Sequence, residues 1–361
     1  MKLSIGNISK LLLIFVPIAL IAEFVLHADP VLIFFFAALA VIPLAGLVGE
    51  GTEELAVHTG PKVGGLLNAT LGNAAELIIT IIAIRAGLLE LVKASIIGSI
   101  IGNLLLVLGL SLLLGGLKNG VQVFDRRNAS INATLLIMAL VGLMIPSLFD
   151  AAIQQNLAAE LGLSEGTAVV LMLLYALSMI YIFTAKPTEV TEHGVAREAV
   201  DVHEAKWSVP MSVGVLVVAT IGIVLMSEVL VGAVESVTET LGLTEFFIGI
   251  IIIPLVGNVA EHLVAVQVAI KNKMELSLSV SLGSSLQIAL FVAPVLVFIS
   301  LLFGETLLLV YNTFELVALA AASIIAAFIA LDGESNWLEG ATLLAVYAIL
   351  GIAFFYLPAT V

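Results

Sequence analysis

Cysteine is absent from the 361 residues. That excludes a disulfide framework, thiolate metal sites and cysteine nucleophiles. Charge is also scarce, at 11% of the chain against about a quarter in ordinary soluble domains. Bases are the scarcer half, 13 Lys and Arg against 27 Asp and Glu. So few bases leave no footprint for a phosphate backbone, which sets nucleic acid aside and points to cations as the charged partners. There is no His-Glu-x-x-His pair of the kind a zinc protease needs, and Glu261-His262 has no second histidine at the required spacing. What fills the chain instead is apolar sequence, 61% of it. The lipid bilayer is therefore the first partner expected, and the protein reads as a polytopic, all-α membrane protein.

Eleven apolar runs are long enough to span, at about 20 residues each. They lie at roughly 9–27, 31–55, 63–86, 93–117, 129–149, 165–185, 207–234, 244–270, 275–303, 306–331 and 337–357. Lys2 and Lys10 ahead of Leu11–Leu26 resemble a signal peptide, but no small-residue cleavage site follows, so an uncleaved first helix is expected. With the N-terminus inside, eleven of the 13 bases fall on the cytoplasmic side, and only Arg85 and Lys93 fall outside. The C-terminus is then external. The one extended polar segment, 187–206, carries Glu189, Glu192, Glu198, Asp201 and Glu204. It is expected to form a cytoplasmic acidic helix and is a candidate regulatory, calcium-sensing segment, although it has no Asp-rich loop of EF-hand type.

Comparing the chain with itself at a shift of 185 aligns Glu50 with Glu235, Glu54 with Glu239, and Gly64 with Gly249. The same shift aligns Gly72-Asn73-Ala74-Ala75-Glu76 with Gly257-Asn258-Val259-Ala260-Glu261, and Gly98-Ser99 with Gly283-Ser284. Five runs separate corresponding elements, an odd number, so the two copies must cross the membrane in opposite senses. The expected organisation is one N-terminal helix (1–28), a five-helix repeat (29–186), the acidic linker (187–206) and an inverted five-helix repeat (207–361). Inverted repeats with helices broken near the midplane are the usual build of secondary transporters, and Gly72, with Pro254 and Gly257, would supply the breaks.

Each repeated motif puts an amide and a carboxylate at i and i+3, on one helix face. A buried ionised carboxylate costs several kcal/mol, on the order of +2.5 to 3.5 even by lenient scales. Arg85 and Lys271 stand roughly three helical turns away, so the counter-charge for Glu76 and Glu261 must come from outside the chain. A hard divalent cation such as Ca²⁺, which takes six to eight oxygens, suits two carboxylates with Asn73, Asn258 and freed backbone carbonyls. Ser99, Asn103, Ser284 and Gln287 are candidates for the rest of the shell. When the cation leaves, facing carboxylates take up protons, so Ca²⁺ and H⁺ compete for one site. Glu50, Glu53 and Glu54 at the inner mouth, and Glu235 and Glu239 at the outer, would gather cations. His262, beside Glu261, is a candidate proton carrier or a hydrogen-bond donor orienting that carboxylate.

The stretch from Gly64 through Glu76, with Phe247 through His262, Lys271-Asn272-Lys273-Met274, Gly283 through Pro294 and Asp332 through Gly340, resembles the calcium/proton exchanger (CAX) family of the calcium/cation antiporter superfamily. The resemblance covers nearly the whole chain. It implies eleven helices, with the two signature glutamates as calcium ligands and proton carriers. It also implies protons rather than sodium as the coupling ion, an acidic cytoplasmic helix between the halves, and no enzymatic activity or cofactor, Ca²⁺ being the transported substrate. The long N-terminal regulatory extension of many eukaryotic members is not expected here. Mn²⁺ and other divalents are further candidate substrates, a homo-oligomer is a candidate assembly, and a prokaryotic cell membrane is the expected location. A sodium-coupled calcium exchanger is the nearest rival reading, and a calcium channel a more distant one.

Overall fold

A computed structural model describes residues 11–153, 156–184 and 205–358, and the acidic residues Glu189, Glu192, Glu198, Asp201 and Glu204 lie outside them. The described chain is almost wholly helical. After α1 (Leu12–Leu26) come α2 (Pro30–Leu71), α3 (Ala74–Arg85), α4 (Leu89–Asn119), α5 (Arg126–Ile153) and α6 (Leu157–Thr184). The second half begins with α7 (Val209–Gly232) and α8 (Val234–Leu241), which is followed across a 116° bend by α9 (Glu245–Gly257). It continues with α10 (Val259–Ile270), α11 (Met274–Leu302), α12 (Thr313–Asp332) and α13 (Trp337–Phe355).

Among the described residues, eight helices are long and apolar enough to cross a membrane, or nine if the bent pair is one span. The runs at 63–86 and 244–270 are not among the eight because each is interrupted in its middle, at Asn73 and at Asn258. The first break takes in Gly72 and Asn73, as the sequence suggested for Gly72, although Gly72 keeps helical dihedrals (φ −55°, ψ −44°), and the second falls at Asn258, one residue beyond Gly257. The run at 31–55 extends instead to Leu71, through a kink at Gly60 with φ 81° and ψ 169°. That conformation is essentially reserved for glycine.

Two short strands, β1 (Gln122–Val123) and β2 (Glu334–Ser335), pair antiparallel and tie the end of α4 to the start of α13. They are a small exception to the all-helical expectation. Helix starts are capped by side chains: Asp29 accepts from Val31 N (2.9 Å) ahead of Pro30, and Asp125 accepts from Arg127 N (2.8 Å).

The layering sets the position of the site. The apolar stretch of α4 is 83% buried, against 17% for α6 and for α13, so α4 runs through the middle and the other two face outward. The packing of α4 on α9 is backbone against backbone. Gly98 has no room for a side chain because it lies on Ile250 O, and Gly249 lies likewise on Leu91 O and Ala94. Small residues let membrane helices approach in this way. The longest helix contact runs between α2 and α7, and α10 packs on the far end of α4, where Gln122 and Asn119 donate to Ala269 O (2.9 and 3.3 Å).

Candidate functional site

The site is built at two helix breaks. Asn73 (φ −99°, ψ 27°) and Asn258 (φ −98°, ψ 3°), 185 residues apart, share the sparsely allowed bridge conformation. Each ends one helix and begins another, so Glu76 and Glu261 both fall in the first turn of a new helix, α3 and α10. The positive end of a helix dipole lies beside each carboxylate.

Asn-x-x-Glu with the asparagine at the N-cap occurs four times among the described residues, and the four copies behave differently. Asn312 with Glu315, and Asn336 with Glu339, form capping boxes in which both side chains fold back on the backbone. Asn73 with Glu76, and Asn258 with Glu261, make no side-chain cap bond. Their side chains turn to the interior instead. Asn73 Nδ2 donates to Gln287 Oε1 (2.6 Å), and Asn73 Oδ1 accepts from Ser284 Oγ (3.0 Å). Ser284 Oγ in turn accepts from Asn103 Nδ2 (3.0 Å). Asn258 Nδ2 donates to Ser99 Oγ (3.3 Å) and to Pro254 O (3.1 Å). Each asparagine therefore reaches a helix of the other half of the chain, Asn73 to α11 and Asn258 to α4.

The carboxylates are arranged in the same reciprocal way. Glu76 lies against Gly257, and Glu261 against Gly72 with Gln287 beside it. Glu76 is 3% exposed. Its Oε1, and Oε2 of Glu261, are buried without a hydrogen-bond partner among the described residues. Thr80 donates to Glu76 O (2.7 Å) and steadies the first turn of α3. Among the described residues no three His, Asp or Glu side chains converge on a point that would hold a metal. A cation placed between the breaks would therefore meet two carboxylates together with amide, hydroxyl and carbonyl oxygens, a hard-oxygen set.

The eight residues Glu76, Glu261, Asn73, Asn258, Gln287, Ser99, Ser284 and Asn103 are thus brought together. His262 is buried beside them, with Nε2 unpartnered. The other acidic candidates are not drawn into this cluster. Glu54 is buried and accepts from the backbone N–H groups of Lys206 (2.7 Å) and Trp207 (3.0 Å). His58 Nε2 adds a contact to Trp207 O (2.7 Å). Together they tie α2, just before its kink at Gly60, to the residues that lead into α7, a tie that sequence spacing did not suggest. Glu50 is half-buried, Glu53 is exposed, and Glu235 and Glu239 are exposed on α8.

The sodium/calcium exchanger protein family model matches residues 30–184 and 211–356, which includes both breaks. The chain belongs to this family. It is 45% identical to the Ca(2+)/H(+) antiporter of Aphanothece halophytica over 96% of each chain. It is 43% identical to the Ca(2+)/H(+) antiporter ChaA of Bacillus subtilis (strain 168), over 95% of this chain and 97% of that one. The solved structure of native YfkE superposes with a TM-score of 0.84 at 40% identity, covering 97% of this chain and 100% of that chain. As a family member with eight membrane-length apolar helices among its described residues, the chain is an integral membrane transporter.

Proposed function

We propose that this protein is a Ca²⁺/H⁺ antiporter that works by alternating access, with Ca²⁺ and protons competing for Glu76 and Glu261. The observation that carries the reading is the pair of carboxylates at repeat-related helix breaks, each with a buried oxygen that nothing among the described residues satisfies. The names of the relatives support Ca²⁺ and H⁺ as the exchanged ions.

The mechanism follows from charge balance. With both carboxylates ionised, a divalent cation neutralises them, and Asn73, Asn258, Gln287, Ser99, Ser284 and Asn103 complete or orient its oxygen shell. Once the cation leaves, two like charges in a dry interior cost several kcal/mol. Protons remove that cost, and the neutral site can turn to the other side. Eleven spans, an N-terminal helix (1–28) followed by two inverted five-helix repeats (29–186 and 207–361), with the N-terminus inside and the C-terminus outside, provide two equivalent mouths for that turn. The equal backbone geometry at Asn73 and Asn258 supports the repeat. So does the recurrence of a left-handed residue at Gly87 (φ 78°) and Asn272 (φ 63°), again 185 apart. Glu50, Glu53, Glu235 and Glu239 serve as outlying cation collectors, and a prokaryotic cell membrane is the setting.

The test is Ca²⁺ uptake into proteoliposomes under an imposed pH gradient, beside an imposed sodium gradient. Glu76→Gln and Glu261→Gln should each abolish calcium-driven proton movement while the protein stays folded. Exchange at wild-type rates in either variant would overturn the site assignment. Dependence on sodium alone would favour the sodium-coupled reading that the family name leaves open.

A further inference from the structure

We infer that Gly257 and Gly72 set which divalent cation the site accepts, by acting as the seats against which the opposite carboxylates rest. The inference rests on the reading of Glu76 and Glu261 as cation ligands. A methyl group built on Gly257 would lie 3.1 Å from Glu76 Oε1 and 3.3 Å from its Cδ and Cγ. On Gly72 it would lie 3.3 Å from Glu261 Oε1 and 3.7 Å from Gln287 Oε1.

Backbone conformation does not explain either glycine. Gly72 is helical and Gly257 closes a helical segment, and neither has a positive φ. Any residue adopts that backbone, so what each position uses is the missing side chain. The contacts are also crossed: the glycine of each motif seats the carboxylate of the other, and each seat positions one ligand oxygen from outside its own helix. On this inference a filled seat pushes its carboxylate off the glycine and toward the cation it holds. A hard cation site discriminates by cavity size and by how far its oxygens can retract. Space removed there counts most against the largest ion.

Gly257 is the better position to test, because a methyl on Gly72 would also meet Asn68 O at 2.6 Å in its own turn. The full chain is reconstituted in vesicles, and initial rates of pH-gradient-driven uptake are measured against concentration for Mn²⁺, Ca²⁺ and Sr²⁺. Adding one carbon to a snug pocket changes discrimination by roughly tenfold or more. For Gly257→Ala the KM of Sr²⁺ should therefore rise about tenfold relative to that of Mn²⁺, with Ca²⁺ between them. The companion is G257A/E76D, in which a side chain one methylene shorter gives the added methyl its room. In that background the Sr²⁺/Mn²⁺ ratio should return to that of E76D alone.

Equal loss for all three ions, an unchanged ratio, or the same effect of G257A with Glu and with Asp at 76 overturns the inference. So does failure of both alanine variants to transport any ion while E76D still transports. Undiminished exchange in Glu76→Gln and Glu261→Gln would instead remove the underlying site reading, which separates the two failures.

Discussion

Asn-x-x-Glu at a helix start ordinarily closes on itself, and at Asn312 and Asn336 it does. At Asn73 and Asn258 the same four-residue pattern is opened out, and the amide and carboxylate become interior groups. Breaking the Asn73 contacts should therefore disturb the site more than the helix. In Asn73→Ala, Ser284 and Gln287 each lose a partner, at about 1–3 kcal/mol for a buried polar group left unsatisfied. The apparent affinity for Ca²⁺ should fall about tenfold or more, whereas Asn336→Ala, which removes a true cap, should lower the melting temperature and leave that affinity unchanged. Uptake kinetics and thermal unfolding in detergent check both outcomes. At this scale much of the site was legible in the sequence. The shift of 185 isolates Glu76 and Glu261, and the fixed helical spacings bring Ser99, Asn103, Ser284 and Gln287 in with them. The crossed partners were not legible, because nothing in local spacing says that Asn73 bonds to α11 and Asn258 to α4.

The kink at Gly60 is the element-scale counterpart. No heavy atom lies within 4 Å of a methyl group built there, so crowding does not forbid a side chain, but the φ of 81° does. Gly60→Ala should lower stability by about 1–3 kcal/mol through backbone strain alone. A fall in melting temperature with the native KM for Ca²⁺ retained is the expected pattern. The tie just before the kink offers a second measurement. Glu54→Ala removes the acceptor for Lys206 N and Trp207 N, and losing a charged acceptor for backbone donors costs about 1–3 kcal/mol. Amide hydrogen exchange should rise at the start of α7 and stay unchanged around Asn258. Apolar run length located the uninterrupted helices well. Gly72, Pro254 and Gly257 marked the breaks to within a residue or so, but did not reveal that Asn73 and Asn258 carry the non-helical dihedrals. Run length also missed the pairing of β1 with β2, a two-residue contact between segments over two hundred residues apart.

Taken as a whole molecule, the chain has few charges to arrange, and the buried pair dominates how pH acts on it. In the proposed mechanism Ca²⁺ binds only when Glu76 and Glu261 are ionised, so protons oppose it on the side where it binds. Lowering the pH on that side should raise the KM for Ca²⁺ and leave the maximal rate at saturating Ca²⁺ nearly unchanged, whereas lowering it on the opposite side should speed exchange. Measuring uptake with each face of the vesicle buffered separately checks the sign of both effects. The fold class was readable because composition forces it: a chain this apolar must satisfy its backbone internally, and helices do so. The centre of the fold was harder to read. That α4 lies inside while α6 and α13 face outward depends on packing between helices of similar composition.

The crossed seating of the two motifs also bears on how the chain can change over generations. Because the carboxylate at 76 rests on position 257, and that at 261 on position 72, neither copy of the motif can drift alone. Across a set of relatives, a side chain gained at 257 should travel with a shortened residue at 76, and one gained at 72 with a shortened residue at 261. The correlation should be weak within each copy and strong between the two, the mark of an inheritance shared by segments that never touch along the chain.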